Sequence, residues 1–211
     1  MPKLAQPRIR QLVFMLALLP MLQLIWALFT DNLGANPVEE LSQHTGIWSL
    51  RFLLLTLACT PIRLLLHWPG IMAYRRMLGL YTFFYSSVHV FVYLLLEQNF
   101  TLHLILEDIR ISWPIDLGLA AYLLLVPLFA TSNQPMMRKL GRNWKKLHNS
   151  VHITAWLAIL HFLFSEKADL REPLLYGGVL LALLVIKGWQ KRQQHKRTGS
   201  KAAIQHTPNK S

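Results

Sequence analysis

The sequence predicts an all-α integral membrane protein, a bundle of six transmembrane helices with both termini cytoplasmic. Three observations predict it. The 211 residues are 53% hydrophobic and only 15% charged, with mean hydropathy +0.32, which is too apolar for an ordinary soluble domain. The apolar residues gather into six stretches, 12–29, 47–66, 77–96, 115–131, 147–164 and 174–189. Each is close to the roughly 20 residues that cross a hydrocarbon core of about 30 Å. Finally, the loops between them alternate in charge.

Taken in order, the first stretch follows Lys3, Arg8 and Arg10. Its length, and the lack of an A-x-A pattern after Phe29, mark it as a retained helix and not a signal peptide. Loop 31–46 carries three acids and no base. The second stretch contains Arg51 and Cys59, the single cysteine, which excludes a disulfide or an iron–sulfur cluster within one chain. Loop 63–76 carries three bases, and the third stretch contains His89. Residues 97–116 carry four acids against Arg110 alone, and "FTLHLILEDIRISW" within them reads as a partly amphipathic surface helix. After the fourth stretch, 131–147 carries five bases and no acid; the fifth holds His148, His152 and His161. Residues 166–172 carry three acids and two bases, and seven bases follow from Lys187.

All ten acids therefore lie on alternate loops, and 18 of the 22 bases lie on the others. The positive-inside rule puts the basic loops and both termini in the cytoplasm. Trp48, Trp68, Trp113, Trp144 and Trp189 fall near the expected helix ends, as an aromatic belt does. Residues 1–190 read as one transmembrane domain, and 191–211 as a basic, disordered cytoplasmic tail. The net charge of +12 is then topology and lipid attraction, not nucleic-acid binding. No internal repeat, G-x-G-x-x-G or Walker A pattern is visible, and no soluble catalytic domain is expected among six spans.

Chemistry is expected from the histidines. His44, His67, His103, His195 and His206 read as surface imidazoles. An ionisable side chain inside a span is a functional candidate, and His89, His148, His152 and His161 are four such groups on two helices. The third and fifth stretches run in the same direction. His89 lies 13 residues beyond Arg76, and His161 lies 13 beyond His148; 13 steps rise about 20 Å. His89 and His161 thus share a depth toward the outer face, where two facing imidazoles suit one six-coordinate haem iron. A porphyrin-free metal site would need further ligands that neither helix supplies there.

At the inner level Arg76 stands opposite His148, so a second haem at His148 would lack its partner ligand. Thirteen residues also turn two positions about 140° apart on an ideal helix. His148 with Arg75 and Arg76 instead suits a phosphate-bearing cofactor such as a flavin mononucleotide, or the three are plain inner-face charges. Arg51 is placed to pair with a haem propionate or to snorkel to the interface. His152, one turn after His148, could supply a ligand but reads better as a packing residue.

"DNLGANPVEELSQHTGIWSLRFLLLTLACTPIR", "YRRMLGLYTFFYSSVHVFVY" and "TSNQPMMRKLGRNWKKLHNSVHITAWLAILHFLF" resemble the MsrQ (YedZ) family of the ferric-reductase-like transmembrane superfamily. The likeness runs from the first stretch to the sixth. It implies a multi-pass subunit of the bacterial inner membrane that binds haem b and FMN. It implies electrons drawn from quinone or a cytosolic flavin reductase and delivered to MsrP, a periplasmic molybdopterin enzyme that reduces methionine sulfoxide in oxidised proteins. His89, His148 and His161 fall on the family's haem-related histidines; His152 stands where a tyrosine is expected. The chain itself would have no catalytic site for the sulfoxide. A stand-alone ferric or quinone reductase, and a transporter in which the histidines relay protons, are the alternative readings.

Overall fold

The structure, a computed structural model, describes residues 7–166 and 169–205; six residues of the expected tail, His206 among them, lie outside that range. Nine α-helices and no strands occur among the described residues. Six segments are long and apolar enough to cross a membrane: Arg8–Phe29, Pro37–Leu65, Pro69–Glu97, Trp113–Ala130, Arg142–Ser165 and Arg171–Gln190. The expected six-helix bundle is thus present.

Helix α1 (Pro7–Phe29) contains Pro20. The ring removes one backbone donor from the helical ladder, and the next step of that ladder is occupied from outside. Tyr85 donates its hydroxyl to the Ala17 carbonyl (2.9 Å) and accepts from the Met21 amide (3.1 Å). Tyr81, one turn earlier, donates to the Phe14 carbonyl at 2.9 Å.

Helix α2 (Pro37–Leu65) begins ten residues before the apolar stretch that announced it. Asn36 caps it by accepting from the Glu39 amide, Pro37 supplies a preset first turn, and Glu39 and Glu40 sit at the positive end of the helix dipole. Packing makes α2 the central helix. One side meets α1 and α3 (Met72–Val92) through Phe52, Tyr74, Met77, Tyr81 and Tyr85; Phe52 stacks on Tyr81 with ring centres 5.4 Å apart. Its other side, Leu50, Leu53, Leu54 and Leu57, packs on Val151, Ala155 and Ile159 of α8 (Val151–Ser165), on Leu128 of α5 (Trp113–Ala130), and on Leu180 of α9 (Arg171–Gln205).

Between these elements, α3 runs into a π-helical turn, Tyr93–Glu97. The amphipathic segment expected at the surface is helix α4 (Leu102–Ile111). It is tied back by Asp108, which accepts from the Tyr93 hydroxyl (3.1 Å) and from the Gln98 amide. Helices α6 (Gln134–Leu140) and α7 (Arg142–His148) precede α8, and the fifth stretch tightens at Asn149 and Ser150, which keep helical dihedrals but bond three residues back. His148 therefore ends one helix while His152 and His161 belong to the next, so a single ideal helix does not relate them. The domain boundary expected at residue 190 falls inside α9.

Candidate functional site

Helices α2, α3, α5 and α8 surround a cavity of about 630 Å³. Leu50, Leu53, Leu125, Ala158 and Phe162 line its depth, Ile105 and Ile109 of α4 close one side, and Glu39, Glu97 and Glu166 stand at its acidic end. Its two imidazoles are those of His89 and His161. Their ring centres are 6.1 Å apart, and their planes cross at 71°.

Each ring is held by its Nδ1. His89 Nδ1 lies 2.9 Å from the Ser42 carbonyl, and His161 Nδ1 lies 2.7 Å from the Pro114 carbonyl. A carbonyl oxygen can only accept, so each Nδ1 carries the proton and each Nε2 keeps a lone pair. The two bonded nitrogens face helix backbones, which leaves Nε2 as each ring's ligating atom. Both rings open into one cavity with Nε2 as the remaining donor atom, so these are the two residues that would hold a metal-centred cofactor there. Among the described residues no group of three or more His, Cys, Asp or Glu could hold a metal ion alone.

Neither Ser42, Gly46, Pro114 nor Gly118 was singled out by the sequence, yet all four touch these two rings. Gly46 and Gly118 each face one imidazole, where a Cβ would stand 3.2 Å and 2.9 Å from the ring. The findable signal was the spacing: carbonyl and histidine are 47 residues apart in both halves.

The other candidates lie elsewhere. Arg51 is not among the residues lining the cavity. Its Nε donates to the Tyr176 hydroxyl at 2.8 Å, and its guanidinium lies over the Trp48 ring, 4.7 Å from the centroid. Trp48 itself is well inside α2, its ring tilted against Phe52 with centres 5.8 Å apart, and not at a helix end. His44 is likewise within α2, with a buried Nδ1 that has no hydrogen-bond partner, in contrast to the surface position expected for it.

At the basic end, His148 Nε2 lies 3.1 Å from the Thr131 hydroxyl, and its ring stacks on Trp144 with centres 4.1 Å apart. Trp144 in turn donates to the Thr131 carbonyl at 3.0 Å. Arg75 is half-buried and within electrostatic reach of His148 and His152, whereas Arg76 is exposed. His152 is not simply packed among apolar groups: its Nε2 is 2.7 Å from Lys187 Nζ, and its buried Nδ1 has no partner.

The family model described as "Ferric reductase like transmembrane component" matches residues 45–162, which span the helices that build the cavity. The chain is 46% identical over 178 residues to the protein-methionine-sulfoxide reductase heme-binding subunit MsrQ of Xanthomonas euvesicatoria pv. vesicatoria, covering 84% of this chain and 82% of that protein. It is 42% identical over 195 residues to the MsrQ subunit of Bordetella pertussis, covering 92% and 93% of the two. No solved structure matches. With identities of this size over nearly the whole length of both proteins, the chain belongs to the MsrQ family of ferric-reductase-like membrane proteins.

Proposed function

We propose that the chain is a membrane cytochrome b, in which His89 and His161 would hold the iron of one haem. The observation that carries this reading is the pair of imidazoles 6.1 Å apart in an apolar cavity, each fixed with Nδ1 on a carbonyl and Nε2 available. Bound there, haem supplies reversible one-electron chemistry. The protein's own part is to hold the two rings, to keep water from the cavity with Leu50, Leu53, Leu125 and Phe162, and to bring a redox centre near the acidic end of the bundle.

With the basic loops cytoplasmic, that acidic end faces the periplasm of a bacterial inner membrane. The chain would then carry electrons outward from quinone or a cytosolic flavin reductase to an MsrP-like molybdopterin subunit that reduces methionine sulfoxide. Residues 1–190 form the membrane domain in this reading, and 191–211 a basic tail that attracts anionic lipid. At the cytoplasmic end, Arg75, His148, His152 and Lys187 form a donor set suited to a phosphate-bearing cofactor such as FMN. Among the described residues the ring stacked on His148 is Trp144 and not a second imidazole, which favours one haem over two.

Purified protein should show a low-spin haem b spectrum that sharpens on dithionite reduction. His89→Ala and His161→Ala should each abolish it, while His152→Ala should keep it. Colourless protein, or a normal low-spin spectrum in both ligand variants, overturns the assignment. Reoxidation of the reduced protein should accelerate on adding MsrP; without acceleration, a stand-alone ferric or quinone reductase becomes the better reading.

A further inference from the structure

We infer that Gly46 and Gly118 are positioning residues that open two helix carbonyls to the imidazoles of His89 and His161 and thereby set the angle between the rings. The inference rests on those histidines being a ligand pair.

The geometry of an α-helix supplies the reason. The carbonyl of residue i accepts from the amide of residue i+4 and keeps a second lone pair. The Cβ at i+4 leans back toward the helix N-terminus, over that same carbonyl. A side chain there crowds any outside donor. Gly46 is residue i+4 to Ser42 in α2, and Gly118 is residue i+4 to Pro114 in α5. In both places the missing Cβ is the space that the imidazole fills. A Cβ on Gly46 would lie 3.2 Å from Cε1 and Nδ1 of His89; one on Gly118 would lie 2.9 Å from the same atoms of His161. Neither glycine has a positive φ. Backbone conformation therefore does not require glycine at either position, and closeness to the ring does.

The two cradles are copies. Ser42 and Pro114, Gly46 and Gly118, and His89 and His161 are each separated by 72 residues. Thr82 and Thr154 share that separation, and both are fully buried with their hydroxyls bonded to the carbonyl four residues earlier. The helix pairs α2–α3 and α5–α8 thus present the same device from opposite sides of the cavity, a local correspondence that the residue types alone concealed. Two such devices fix two rings independently, and the result is the 71° crossing. They also fix both tautomers, because a carbonyl oxygen accepts only from a protonated Nδ1.

Glycine-to-alanine variants read this directly, since alanine is the better helix former and would otherwise favour each helix. Gly118→Ala should weaken haem binding by about 10-fold or more in a titration of the haem-depleted protein, the scale of loss typical for groups that orient a metal-ligating histidine. Gly46→Ala, where the ring must give by only tenths of an ångström, should keep its haem but shift the anisotropy of the low-spin electron paramagnetic resonance signal and the midpoint potential, both of which respond to ring orientation and Nδ1 bonding. Gly178→Ala, with nothing within 4 Å of an added Cβ, is the control and should match the parent. If Gly118→Ala fails to accumulate, Gly46→Ala decides. Affinity, spectrum and potential identical to the control in Gly46→Ala overturn the inference, provided the parent shows a bis-imidazole signal. A parent without that signal overturns the ligand pair itself.

Discussion

Tyr85→Phe removes one oxygen atom from a fully buried side chain and isolates what its hydroxyl does. The ring stays, with its contact to Phe52 at 5.2 Å between centres. Lost are a bond donated to the Ala17 carbonyl and one accepted from the Met21 amide. Hydrogen bonds between transmembrane helices are worth about 0.6 kcal/mol on average and at most about 1.7. Two of them give about 1–2 kcal/mol, less whatever is recovered when Met21 and Ala17 close the ordinary helical bond between themselves. Tyr81→Phe loses only the bond to Phe14 and should cost about half as much, about 0.6 kcal/mol. Equilibrium unfolding in mixed dodecylmaltoside and dodecylsulfate micelles, followed by tryptophan fluorescence, measures both. Tyr85→Phe as stable as the parent, or less costly than Tyr81→Phe, would refute the view that these hydroxyls hold α1 to the bundle.

Two further outcomes concern packing and the cavity wall. Ala155 is fully buried where α8 meets α2, so Ala155→Leu should destabilise the protein by about 1–3 kcal/mol through overpacking, read in the same micelle titration. Asp108→Ala removes the acceptor shared by Tyr93 and Gln98; amide hydrogen exchange in α4 should then accelerate several-fold, with α2 and α8 unchanged, and equal exchange in α4 would show that this carboxylate does not restrain it.

Much of the fold was legible because a membrane makes few demands and states them strongly: a span must be long and apolar, and the six stretches were. The facing of His89 and His161 was legible too, since equal rise from two charged landmarks needs only a count of residues. What escaped has identifiable causes. Helix α2 starts ten residues early because a cap of Asn36 and Pro37, not hydropathy, sets its first turn. That early start carries Ser42 and Gly46 into the helix, where backbone carbonyls and a missing Cβ leave no mark in residue type. The bond from Arg51 to Tyr176 left no mark because the two residues are 125 positions apart. The ideal-helix angle between His148 and His161 is altered because the chain tightens at Asn149 and Ser150, where amides bond to carbonyls three residues back.

Helix α4 gives the cavity two kinds of fastening. Ile105 and Ile109 form part of the cavity wall, and Asp108, between them in sequence, is latched to Tyr93 and Gln98. A wall fastened by a few side-chain bonds at one end can be released without disturbing Leu50, Leu53 or Ala155 in the packed centre. The wall at the acidic end and the packed centre therefore rest on different groups: polar bonds from one carboxylate hold the first, and interlocked apolar side chains hold the second.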